Sequence, residues 1–290
     1  MAQVTALTLY PVKSMRGIGV SQAVLTPRGL RHDRRWMLLN AHDRFVTQRD
    51  LPRLALIEQA LDDTGVSLSL PGYGALHLPF DDSAQGARIR TAVWGDACEV
   101  IDVGGDSSRW LSDALESDAT LRLVRMAPDW QRPQRHPDLM GEQTRSLFAD
   151  GAPYLVASED SLEALNAELI SRDIAPVPIN RFRPNILLRG LAPFSEQQVA
   201  LLENERYALR LCYPCERCVV TTIDQATGVP DPGREPFNTL RDINPMPDRP
   251  RAPAFAQNSA LERGEGAVIR VGDLLQWHAL TPRSPAGPAA

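Results

Sequence analysis

The sequence predicts a mainly β protein with a few helices, of the α+β class. Three observations predict it. Roughly the first hundred residues alternate apolar and polar side chains in short runs, with turn residues about every eight to twelve positions. Only two stretches, around 106–115 and 158–169, carry the period of an amphipathic helix. Apolar runs of strand character then return at 186–188, 207–211, 219–223, 267–271 and 274–277. Many short strands with frequent turns suit a small barrel or sandwich.

Residues 3–10 alternate cleanly and predict the first strand, which Pro11 ends; 12–19 is a loop with two glycines. Residues 20–25 predict a second strand. Residues 35–39 and 45–48 predict a hairpin around Asn40-Ala41-His42-Asp43, and 54–61 with 66–70 predict another around Asp62-Asp63-Thr64-Gly65. Short strands are expected at 75–78, 87–93, 97–101 and 121–125. Asp106 is placed to cap the first helix, and Ser158 the second, whose buried stripe is Leu162, Leu165 and Leu169. Residues 127–141 and 230–258 are rich in proline and charge and read as extended segments. The Pro/Ala tail, 281–290, reads as disordered.

The chain has 290 residues and 43 % hydrophobic content, enough for a sizeable core. Its formal net charge is −5, with both signs mixed, which offers no broad nucleic-acid surface. No apolar run is long enough to span a membrane, and the N-terminus reads as no signal peptide, so a cytoplasmic location is expected. Of 31 basic residues only Lys13 is a lysine. A coding bias toward arginine makes that survivor informative, because an ammonium is a compact point charge where a guanidinium is a planar fork.

The densest chemistry is Cys212-Tyr-Pro-Cys215-Glu-Arg-Cys218, which holds three of the four cysteines. The spacing matches the opening of a ferredoxin iron–sulfur motif, but Thr222 stands where the fourth cysteine is due. A Cys3His zinc site, a disulfide, or burial as small hydrophobes are the other readings. Cys212 and Cys98 suit burial. Cys218 suits function, since Arg217 beside it favours a thiolate. Basic loop residues at 13–14, 31–35 and 181–185 could aim charged donors at a phosphate or polar heterocycle. There is no G-x-G-x-x-G, P-loop, G-x-S-x-G or H-E-x-x-H pattern.

Five motifs in register carry a family resemblance: Tyr10-Pro-Val-Lys-Ser-Met-Arg-Gly17, His32-Asp-Arg-Arg-Trp-Met37, Phe148-Ala-Asp-Gly-Ala-Pro-Tyr-Leu155, Arg181-Phe-Arg-Pro-Asn185 and the run from Cys215 to Gly228. With them the chain resembles MOSC-domain proteins that carry an N-terminal β-barrel, the group of the amidoxime-reducing component and bacterial reductases of N-hydroxylated compounds. The resemblance implies a MOSC N-terminal β-barrel domain over 1–124 packed on a MOSC β-barrel domain over 125–280. It implies a molybdenum cofactor, Mo-molybdopterin, with Cys218 as metal ligand and catalytic residue. Lys13, Ser14 and Arg34 would hold the pterin and its phosphate from the first domain, and Asp150, Arg183, Asn185 and Arg217 from the second. The activity implied is reduction of small N-hydroxylated compounds (hydroxylamines, amidoximes, N-hydroxylated bases).

Two departures shape these expectations. Gly151-Ala152 stand where some relatives have hydroxyl side chains, so contacts there would be backbone only. Some bacterial relatives continue into a ferredoxin domain. This sequence ends at Ala290 without C-x4-C-x2-C, so a separate electron-donor protein is expected, such as a ferredoxin or flavoprotein reductase. A non-catalytic carrier of the cofactor, or of sulfur on Cys218, is the alternative.

Overall fold

The computed structural model describes residues 1–81, 86–134 and 136–280; the tail expected to be disordered lies outside them. Seven strands close a barrel: Ala2–Leu9, Leu274–Ala279, Val199–Glu203, Ala208–Glu216, Ala254–Arg263, Tyr154–Ser158 and Ile186–Arg189, the last pairing back onto the first. Only the contact of Tyr154–Ser158 with Ile186–Arg189 is parallel. A helix, Glu159–Ser171, fills that crossover, as a parallel connection requires. The barrel thus takes its closing strand from the N-terminus of the chain.

A second, half-barrel unit is built on a five-stranded antiparallel sheet: Arg88–Val93, Asp96–Asp102, Arg122–Met126, Trp36–Leu39 and Phe45–Val46. Its core includes Met37, Leu39, Val100 and Val124, and Phe148, from the segment leading into the barrel, buries its ring among them. That ring pins residues 148–150 between the two units.

Several sequence expectations are corrected. Pro52 opens a 3-10 turn, Pro52–Leu56, so the strand predicted from 54 begins only at Glu58. The run 20–25 breaks at Ser21 into Ile18–Val20 and Gln22–Thr26. Asp106 lies inside the first turn of Gly105–Ala114 and Gly104 holds the cap position, so Asp106 does not cap. Ser158 does precede its helix, but its hydroxyl donates to the Asp160 carboxylate, 3.1 Å, and accepts no backbone N–H of the first turn. The extended segments conceal a helical turn, Pro137–Met140, a helix, Phe237–Ile243, and the ten-residue strand Ala254–Arg263. The strand predicted at 219–223 is a 3-10 turn, Val219–Thr222. Thr221 and Thr222 turn their hydroxyls back to the carbonyls of Cys218 and Val219, at 2.9 and 2.7 Å, and so favour a turn over a ladder. Among the described residues no helix is long and apolar enough to cross a membrane.

Candidate functional site

The strand Ala208–Glu216 carries two of the clustered cysteines and then leaves the sheet. Cys212 packs against Met140, Ala152 and Ala260, and burial pushes its thiol up to about 11. Cys215 accepts a hydrogen bond from Arg217 Nη1 at 3.0 Å; burial pushes this thiol up, and Arg217 offsets the effect only in part. Cys218 sits in extended backbone just before the 3-10 turn, half-buried. Its Sγ accepts from Arg49 Nη2 at 2.7 Å. All four cysteines are free. Arg217 therefore attends Cys215, and the cation that reaches Cys218 is Arg49. The sequence neighbour is not the spatial one, because Arg217 extends toward the carbonyl of Phe182, 2.8 Å from its Nη2.

Lys13, Ser14, Arg34, Asp150, Arg183, Asn185, Arg217 and Cys218 all line one cleft of about 110 Å³. Arg49 lines it too and was missed, since nothing marks one arginine among so many. Ser14, Arg34 and Arg183 reach the cleft from left-handed backbone, with φ of 69°, 44° and 56°. Such conformations cost energy for residues other than glycine and collect where side-chain direction matters.

Lys13 is 5 % exposed. Its ammonium donates to the carbonyl of Phe148 at 2.8 Å and is ion-paired with Asp150. Burial pulls its pKa down and Asp150 pulls it back only in part. Asp150 opens into the cleft with its side chain 62 % accessible; the protein crowded around the carboxyl would by itself raise its pKa, but Lys13 outweighs this, with Trp94 Nε1 donating at 2.7 Å, and holds the carboxyl well below the usual range. A small ammonium thus joins a carbonyl of one segment to a carboxylate two residues on, a geometry suited to a point donor.

Arg34 donates to Asp33 at 2.6 Å and to the carbonyl of Arg183 at 3.2 Å, with its guanidinium 4.2 Å from the Tyr10 ring centre. Arg183 lies over the same ring at 4.3 Å, and burial lowers its pKa to about 10. Among the described residues no protein hydrogen bond or ion pair engages the Arg183 guanidinium, and Arg217 Nε is buried without a partner. Asn185 spends its amide inside the barrel, accepting from Leu155 N and donating to Thr8 O, both at 3.2 Å. It braces two strands as well as facing the cleft.

The cleft is therefore lined by five basic side chains, Lys13, Arg34, Arg49, Arg183 and Arg217, against one carboxylate, Asp150, with two thiols, Cys215 and Cys218, in its wall. That donor set fits an anionic cofactor whose metal takes a single protein thiolate. Among the described residues no three His, Cys, Asp or Glu side chains are gathered to hold a metal by themselves, so neither a closed zinc site nor an iron–sulfur site is assembled there. A larger neighbouring cavity, about 410 Å³, shares Arg183 but has no thiol in its lining.

His32, in the second motif, stands apart from the cleft. It stacks on Phe80 with ring centres 3.8 Å apart, and burial, then Arg35 and Arg31, lower its pKa from 6.5 to about 4. The fold holds it neutral, so its contribution to stability is full above pH 6.5 and is lost as pH falls toward 4. His32→Asn should remove about 1 kcal/mol of that acid sensitivity, since the ring is only half-buried and solvent screens its charge, read from urea melts at pH 7 and 4.

Residues 1–118 match the MOSC N-terminal beta barrel domain and residues 143–276 the MOSC domain. The chain is 33 % identical to mitochondrial amidoxime-reducing component 1 of Mus musculus over 93 % of this chain and 80 % of that protein. It is 33 % identical to the Homo sapiens component 1, over 93 % and 81 %, and 31 % identical to mitochondrial amidoxime reducing component 2 of Bos taurus, over 82 % and 71 %. With both domains matched in order and that identity along nearly its whole length, the chain belongs to the MOSC family, in the group that joins an N-terminal MOSC barrel to a MOSC domain.

Proposed function

We propose that this chain is an oxidoreductase that binds a molybdenum cofactor and reduces small N-hydroxylated compounds with electrons from a separate donor protein. The observation that carries the reading is a cleft where five cations face one carboxylate and where, of the two thiols in the lining, Cys215 is taken up by Arg217 while Cys218 is met by Arg49 from the other unit. Relatives named for amidoxime reduction support the same chemistry.

Cys218 would be the protein ligand of the metal. Lys13, Ser14 and Arg34 would hold the pterin and its phosphate, with Asp150, Arg183, Asn185 and Arg217 on the facing wall, where the Arg183 guanidinium is, among the described residues, the one free to turn its donors to the ligand. Lys13 and Asp150 hold each other in place, so the phosphate would meet a prearranged ammonium. Gly151 and Ala152 offer only backbone to the ligand. When bound, the cofactor supplies two electrons to the N–O bond, so that an N–OH group, two electrons and two protons give an N–H group and water. Arg49, fixed on Cys218, would place a permanent positive charge beside the protein ligand of that metal.

Protein from a molybdenum-replete host, given an artificial reductant, should convert benzamidoxime to benzamidine. No turnover together with sulfane sulfur on Cys218, seen by mass spectrometry, would instead establish a carrier.

A further inference from the structure

The strands Arg88–Val93 and Asp96–Asp102 pair with Val93 opposite Asp96, so Trp94 and Gly95 alone make the turn. Both have positive φ, 54° and 93°. Two-residue turns of this kind favour Asn-Gly or Asp-Gly, and a bulky aromatic there is an outlier. Backbone strain of this sort gathers at ligand sites. The side chain explains the position. Its Nε1 donates to Asp150 Oδ1 at 2.7 Å, and Phe45 supports it edge-on with ring centres 5.0 Å apart. The Arg49 guanidinium lies 4.6 Å from the indole centre, and the same guanidinium donates to Cys218. One guanidinium thus separates the indole from the thiol. Even so, Trp94 stays 38 % exposed. A large aromatic held in strained backbone, with Arg49 over one face and Phe45 edge-on, still leaves more than a third of its surface open for a flat ligand.

We propose that Trp94 determines specificity: its indole is the stacking surface by which this site prefers planar, conjugated N-hydroxylated substrates, such as aryl amidoximes and N-hydroxylated heterocyclic bases, over aliphatic ones. The inference rests on the reductase reading for the N–OH group. The stacking itself rests on Trp94. An indole held by Asp150 and Phe45 is already ordered, so a flat ligand stacks without the usual loss of side-chain freedom. Stacking of one base-sized ring on an aromatic side chain is worth roughly 5- to 150-fold in affinity.

The test compares dissociation constants of benzamidoxime and acetamidoxime for the oxidised holoenzyme, by calorimetry, in wild type, Trp94→Phe and Trp94→Asn. Asn-Gly is the pair this turn favours, so Trp94→Asn keeps the hairpin, and its thermal melt checks the fold. Wild type should bind the aryl compound at least about tenfold more tightly; the ratio should fall to within about twofold of one in Trp94→Asn and largely survive in Trp94→Phe. An unchanged ratio in Trp94→Asn overturns the inference, as does a wild type without preference. Equal weakening for both ligands, the pattern of a general docking surface, overturns it too. Turnover of both compounds is followed separately. A kept binding preference without turnover would sink the reductase reading and leave the role of Trp94 standing.

Discussion

Cys218→Ser should lower amidoxime reduction with an artificial donor by roughly 10³-fold or more, the scale of losing a member of a reacting unit. A serine hydroxyl is a hard, weakly acidic group and a poor substitute for a thiolate on a soft site. The loss should not come from unfolding. Cys218 is half-buried, and its Sγ bonds only to Arg49 among the described residues. The local turn is held by the Cys218 carbonyl, which accepts from Thr221, and serine keeps that carbonyl. A surface-type change of this sort costs within about 0.5 kcal/mol. Circular dichroism and a urea melt beside the assay separate the two effects. Cys215→Ser should cost far less activity, since Cys215 is engaged with Arg217. Equal losses in the two variants would contradict the assignment of Cys218.

Lys13→Ala should have the largest effect on stability. It orphans the Phe148 carbonyl, which the buried ammonium satisfies, and leaves Asp150 without its ion-pair partner. Breaking a fully buried pair costs about 3–5 kcal/mol, but the Asp150 side chain is 62 % accessible to the cleft. We therefore expect about 2–3 kcal/mol, measured as a shift in urea midpoint at constant slope. The pH dependence has a defined sign. Asp150 is held below its ordinary 3.8, so the pair's contribution is present above that pH and is lost as pH falls through the folded value. The gap between wild type and Lys13→Ala should therefore narrow below about pH 4. A gap that is constant with pH would mean that Lys13 acts by packing alone. Lys13→Arg should not restore the wild type, because the fork has to fit where the ammonium is 5 % exposed and 5.6 Å from the Phe45 ring centre.

The β character of the chain was legible because alternation reports burial of one face of a strand. The closure of the barrel was not. The first strand pairs with Ile186–Arg189 and Leu274–Ala279, and pairings so distant leave no local trace. The strand Ala254–Arg263 hid for a related reason. It pairs on both sides inside the barrel, so its first seven residues are buried on both faces and show no alternation. At 219–223 propensity misled, because the threonine hydroxyls compete for backbone carbonyls. The residues named for the cleft do come together, since the motifs mark loops at barrel ends. Arg49 and Trp94 stayed hidden. Neither their type nor their spacing is unusual, and only the fold brings Arg49 of one unit onto a thiol of the other, with the Trp94 turn packed behind it.

The most direct test of the central claim is the molybdenum content of protein purified from a molybdenum-replete host. Wild type should approach one molybdenum per chain, and Cys218→Ser, purified beside it, should hold far less. Wild-type protein without molybdenum, or a Cys218→Ser protein with undiminished metal, would contradict Cys218 as the ligand at the centre of this site.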